Sequence, residues 1–181
     1  MHLCNFLAMA GCLAVSMLHN AAAQIGPPGW QYTGYYAIYN VATNTSLTLV
    51  NGNPNNGATI AGYPNNWVGN QDQLWYVITV EVPVPDTVLI INNGTFSAMA
   101  AMSSQAPVTG QTNLVLPDRR MLWARETTNT LGAYRFRNLQ SPNQYLDMDH
   151  SNPAPGTLVL SWQRNNPDTP NQMWYMQLMA E

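Results

Sequence analysis

Few side chains in this sequence could carry reaction chemistry, and they concentrate in one short segment. The chain has three histidines and two cysteines. His150 stands among Asp147, Asp149 and Ser151, while Cys4 and Cys12 sit near the N-terminus. Asp147 and Asp149 alternate along an extended segment, so both carboxylates could face one way beside an imidazole, as a metal site requires. Short carboxylate–histidine runs of this kind read as solvated turns, and no metal is expected. A serine–histidine–aspartate triad is not expected either, because adjacent residues on one turn do not point at one another. Paired carboxylates for glycoside hydrolysis need a cleft between them. The sequence therefore reads as a binding protein with no catalytic residues and no cofactor.

The ends and the charge narrow the setting. Phe6 to Leu18 is an apolar run broken by Gly11 and Ser16, too short to cross a bilayer, and Ala21-Ala22-Ala23 follows it. We expect residues 1–23 to be a signal peptide cleaved before Gln24, and the protein to be secreted. Cys4 and Cys12 would leave with it, so the mature chain would hold neither disulfide nor thiol. Lys and Arg together number six, all Arg, against nine Asp and Glu, a net charge of −3. That balance argues against nucleic acid and against membrane insertion. The arginines gathered between Arg119 and Arg137 are interleaved with Asp118 and Glu126 and read as a solvated face. Asn44-Thr45-Ser46 and Asn93-Gly94-Thr95 are acceptor sequences for N-glycosylation at Asn44 and Asn93.

The elements that must position any site are strands. Tyr35–Tyr39, Leu74–Val80, Val88–Ile91 and Thr157–Leu160 are rich in β-branched and aromatic residues, separated by Asn, Gly and Pro. The chain also repeats. Trp75, Trp123 and Trp174 stand 48 and 51 residues apart, each in a short apolar run. Ser46-Leu47-Thr48-Leu49 aligns with Tyr145-Leu146-Asp147-Met148, and Gly57–Tyr63 with Gly156–Trp162, at a constant offset of 99 that continues to Trp75 and Trp174. Three units of about four strands cannot bury their apolar faces singly but can do so around a pseudo-threefold axis. An all-β β-trefoil is expected over 35–181, with repeats near 35–80, 81–126 and 127–181 and a lead-in over 24–34.

Gln73-Leu74-Trp75 and Gln172-Met173-Trp174 match the Gln-x-Trp signature of the ricin B-type lectins, and Met121-Leu122-Trp123 keeps only the Trp. The chain resembles the small secreted fungal members of that family over most of its mature length. The resemblance implies a shallow site per repeat: an aspartate for vicinal sugar hydroxyls, an aromatic ring for the apolar sugar face, and an Asn-Gln pair before the last Trp. In the third repeat these positions are Asp147, Trp162, Asn171 and Gln172. In the first they are Thr48, Tyr63, Asp72 and Gln73, a weaker set because a hydroxyl stands where the carboxylate should. In the second, Ser97 or a neighbour, Gln111 and Arg120-Met121 would occupy them, and no site is expected. The resemblance thus implies a lectin for glycans of the galactose or GalNAc type, acting mainly through the third repeat, with a homodimer left open. The rival reading is a β-trefoil protease inhibitor using the loops Asn51–Asn56, Asn65–Asn70 and Pro83–Thr87.

Overall fold

The computed structural model describes residues 30–113 and 118–180. The expected signal peptide lies outside the described residues. The described chain is built of strands and short 3-10 turns, and no helix among the described residues is long and apolar enough to cross a membrane.

The first unit contains β1 (Trp30–Asn40), β2 (Thr45–Leu49), β3 (Ala58–Pro64) and β4 (Leu74–Val80). The second contains β5 (Thr87–Asn92), β6 (Ala98–Ala100), β7 (Ala106–Pro107), β8 (Thr109–Gln111) and β9 (Leu122–Thr127). The third contains β10 (Ala133–Asn138), β11 (Gln144–Met148), β12 (Thr157–Gln163) and β13 (Trp174–Ala180). β1 begins ahead of Tyr35, because Trp30, Gln31 and Tyr32 pair with Val80, Thr79 and Ile78 of β4.

The outer strands of the units close a six-membered antiparallel ring in the order β1, β4, β5, β9, β10, β13 and back to β1. The inner hairpins β2–β3, β6–β8 and β11–β12 form a cap over one end. They are joined where β3 meets β8 and β12, and where β12 meets β7. This is a β-trefoil. The second unit's third strand is broken at Val108 into β7 and β8, just after Pro107, which cannot donate to a ladder.

Trp75, Trp123 and Trp174 are fully buried and lie in one core cluster with Ile38, Ile90 and Phe136. Each indole N–H donates to a backbone carbonyl of its own unit: Leu47 O at 2.9 Å, Met99 O at 3.1 Å and Leu146 O at 3.0 Å. Burying a tryptophan while satisfying its one donor removes the penalty that an orphaned N–H would carry. The three bonds also place Leu47, Met99 and Leu146 at one equivalent position. It follows that Thr48, Ala100 and Asp147 are equivalent, and the expectation of Ser97 for the second unit is corrected. Ser97 is instead a buried turn residue whose hydroxyl accepts from Thr95.

A second threefold element was not anticipated. Asn40, Asn92 and Asn138 close the first outer strand of each unit and are buried. Each side-chain oxygen accepts backbone N–H groups of the turn that follows. Each side-chain nitrogen donates to carbonyls in and just after the preceding unit's 3-10 turn: Asn171 and Met173, Gln71 and Leu74, and Arg120 and Leu122. One carboxamide thus staples the start of every unit to the turn that ends its neighbour.

Candidate functional site

β11 and β12 are paired so that Tyr145 faces Trp162 and Asp147 faces Leu160. Alternation along both strands puts Asp147 and Trp162 on the same face as diagonal neighbours, with Leu146 and Met148 turned into the core. The 3-10 turn Pro170–Gln172 then lays two side chains across Asp147. Asn171 Nδ2 donates to both carboxylate oxygens at 3.0 Å, and Gln172 Nε2 donates to Oδ2 at 2.8 Å. Gln172 also donates to Gln163 O and accepts from the Asn165 N–H, which ties the turn to the end of β12. The four residues implied for the third repeat are therefore brought together.

Asp147 is 3% exposed, and Trp162 is half-buried. Burial pushes the Asp147 carboxyl up to about 6, against the opposing pull of the Gln172 and Asn171 amides; Asp149 adds to the rise. Oδ1 receives a single N–H and so keeps acceptor capacity for a hydroxyl. Asp149 and His150 lie outside this pocket on the 3-10 turn that follows β11, where His150 Nδ1 meets Asp149 Oδ1 at 2.6 Å. Among the described residues, no three His, Cys, Asp or Glu side chains converge to hold a metal.

The first unit repeats the bracing but not the chemistry. Gln73 Nε2 donates to Thr48 Oγ1 at 3.1 Å and to Pro64 O at 3.0 Å, and Gln73 Oε1 accepts from the Asn66 N–H at 2.8 Å. The Thr48 hydroxyl is spent as a donor to Ser46 O. Asp72 does not reach Thr48; its carboxylate turns to the Gly52 N–H, and burial raises its pKa while that N–H lowers it. Tyr63 is half-buried at the position of Trp162. In the second unit the equivalent residues are Ala100, Gln111, Arg120 and Met121. Ala100 offers no acceptor, and Arg120 folds back onto Asp118.

The arginines do not form a solvated face throughout, which corrects that expectation. Arg135 is 7% exposed, paired with Asp168 and lying near the Tyr145 ring. Asp168 also takes both ends of Arg164, at 2.9 and 3.1 Å. This anchors the loop 164–169, from which Asn165 and Thr169 contact Asn171. Sequence reading missed Arg135 because its flanks, Tyr134 and Phe136, gave no sign that an arginine would face inward. Asn44 and Asn93 lie in the turns that follow β1 and β5, Asn44 exposed and Asn93 half-buried.

Residues 25–117 match the ricin-type β-trefoil lectin domain-like family model. The chain belongs to that family. No curated protein matches it. Among solved structures, this ricin-type chain is similar to the Rhizoctonia solani agglutinin, with TM-score 0.66 and 25% identity over 86% of this chain and 99% of that one. It is similar also to the designed threefold-symmetric protein ThreeFoil, with TM-score 0.69 and 18% identity over 80% and 98%. The Macrolepiota procera ricin B-like lectin in complex with lactose gives TM-score 0.62 and 18% identity over 80% and 94%. The last two likenesses concern the fold.

Proposed function

We propose that this ricin-type trefoil is a secreted lectin and not an enzyme, binding glycans of the galactose or GalNAc type mainly through Asp147, Trp162, Asn171 and Gln172. The observation that carries this is the carboxylate of Asp147, braced by two amides beside a half-buried indole on one face of a hairpin. Such a pair suits a ligand with a rim of hydroxyls and an apolar face. The lactose bound by the Macrolepiota lectin supports the sugar class. A site of this depth binds a monosaccharide with about 4–5 kcal/mol, near the millimolar range, so useful affinity comes from extended or multiple glycans, or from a dimer.

The protease-inhibitor reading needs exposed, pre-organised loops. In the loop 83–87, Asp86 is held by both ends of Arg125 and Thr87 donates to Val84 O. In the loop 65–70, the Trp67 indole donates to Ser46 Oγ and packs on Tyr39. What favours the lectin reading is that an inhibitor has no use for the set Asp147, Trp162, Asn171 and Gln172, which the fold brings together.

The test is a glycan array probed with Gln24–Glu181 and with its Asp147→Thr variant, which keeps a partner for Gln172 as Thr48 does for Gln73. Native binding to galactose- or GalNAc-ending glycans is expected, with a loss of about tenfold or more in the variant, as for a hydrogen bond to a charged group. A native chain that binds no glycan and inhibits a serine or cysteine protease would sink the proposal. Secretion is checked by N-terminal sequencing of the exported chain, expected to begin at Gln24, and use of Asn44 and Asn93 by a mass shift on enzymatic deglycosylation.

A further inference from the structure

Three residues before the stapling asparagines Asn40, Asn92 and Asn138 stand Ala37, Leu89 and Arg135. All three are buried on the outer side of the barrel wall, next to Ile38, Ile90 and Phe136, which point into the core. Two units thus fill the position with an apolar side chain, and the third fills it with a guanidinium. A buried ion pair carries a desolvation cost that an alanine or leucine does not, so packing alone gives no reason for the charge. Arg135 Nη1 pairs with Asp168, and Nε has no acceptor among the described residues.

Asp168 is the link to the proposed site. It precedes Thr169, whose hydroxyl accepts from Asn165 Nδ2 at 2.6 Å and donates to Asn171 Oδ1 at 2.5 Å. Asn165 Nδ2 also reaches Asn171 Oδ1, at 3.3 Å. With its oxygen engaged there, the Asn171 carboxamide turns Nδ2 to Asp147, where it makes the two 3.0 Å bonds. The opposite orientation would set an amide oxygen against a carboxylate and leave Asp147 with one amide donor instead of two. On its other side the Arg135 guanidinium lies 5.9 Å from the centre of the Tyr145 ring. Tyr145 stands two residues before Asp147 on the same face of β11, and opposite Trp162. Arg135 therefore lies against both halves of the site, the hairpin and the loop.

The first unit lacks this relay. At the offset of 99, Gly69 and Asn70 stand where the third unit has Asp168 and Thr169, and Ala37 replaces Arg135. The second unit has Leu89 at that position and Ala100 in place of the aspartate. Of the three units, the one with the buried cation is the one whose strand carries the carboxylate.

We propose that Arg135 is a positioning residue for the third-unit site: by holding Asp168 it fixes the loop 164–169, and through Thr169 and Asn165 it decides which end of the Asn171 carboxamide faces Asp147. Its effect on sugar affinity rests on the lectin reading; its effect on Asn171 does not.

The experiment follows the side-chain amide protons of isotope-labelled protein by NMR, with Asn171 assigned by the loss of its pair in Asn171→Ala. Calorimetry with lactose reads the same samples, and thermal unfolding establishes that each variant is folded. In Arg135→Met, which restores an apolar side chain, the Asn171 pair should move to the position of a free carboxamide and exchange with water at least about tenfold faster, while the Asn92 pair stays in place. Lactose affinity should fall at least about tenfold with it. Arg135→Lys keeps the charge and should restore both readouts. Arg164→Met should have the smaller effect, because its guanidinium is half-exposed and holds Asp168 weakly. If Arg135→Met fails to fold, the double variant Arg135→Met/Asp168→Asn, which leaves no charge of the pair, takes its place. An Asn171 pair that is unchanged overturns the proposal, as does a moved pair with lactose affinity intact. A folded Arg135→Lys that behaves as Arg135→Met, or an Arg164→Met with the larger effect, overturns it too. A native protein that does not bind lactose counts against the galactose reading alone, since the amide protons decide the role of Arg135 without sugar.

Discussion

Asp147 is buried as an acceptor, and that sets opposite pH responses for binding and for folding. Its carboxyl titrates near about 6 because burial disfavours the charge more than the two amides restore it. A sugar hydroxyl that donates to the carboxylate needs it ionised, so affinity through the third unit should fall about tenfold between pH 7 and pH 5, read by calorimetry. Folding runs the other way. The folded-state pKa lies above the unfolded one, so the stabilising contribution is complete below the ordinary carboxylate range and is lost as pH rises through about 6. Native protein should therefore gain melting temperature relative to Asp147→Thr on going from pH 7 to pH 5; a constant difference would show that the carboxyl is not raised. Asp168 has a different burden, since it neutralises the buried Arg135. Asp168→Ala should cost about 1–3 kcal/mol in chemical denaturation, because it removes the partner of a buried guanidinium from a half-exposed pair.

The 3-10 turn Pro170–Gln172 carries two of the residues proposed to bind sugar, and what fixes it is the carboxamide of the next unit in space. Asn40 Nδ2 donates to the carbonyl of Asn171, so Asn40→Ala should loosen the turn Pro170–Gln172. A loss of about 1–3 kcal/mol in stability is expected, with weaker glycan binding by the third unit, although Asn40 is no part of the face that carries Trp162. Urea titration and the glycan array together check both parts. The turns themselves were legible in the sequence, since Gln73 and Gln172 precede matched tryptophans at a constant offset. The staples were not, because Asn40, Asn92 and Asn138 are spaced unevenly and follow strands of unlike composition. That Asp147, Trp162, Asn171 and Gln172 lie together was implied by the family resemblance carried by the Gln-x-Trp motif, whereas the turning of Asp72 toward Gly52 had no signal in the sequence. Its direction depends on a hydroxyl bond made by Thr48 and on the missing Cβ at residue 52.

For the molecule as a whole, the threefold repeat was visible through its tryptophans, but the partners that close the ring were not. Strand pairing such as β13 with β1 joins residues from opposite ends of the chain, with Asn40 against Trp174, and no local pattern specifies it. Each unit lends strands to its neighbours on both sides, so the units cannot melt one at a time without opening the barrel. The three core indoles feel this directly. Trp75, Trp123 and Trp174 each hold a hydrogen-bonded N–H with no solvent access, whereas Trp162 lies part-open at the rim. Moved into heavy water, the protein should keep three indole proton resonances long after that of Trp162 has exchanged, and the three should then decay at one common rate, that of global unfolding.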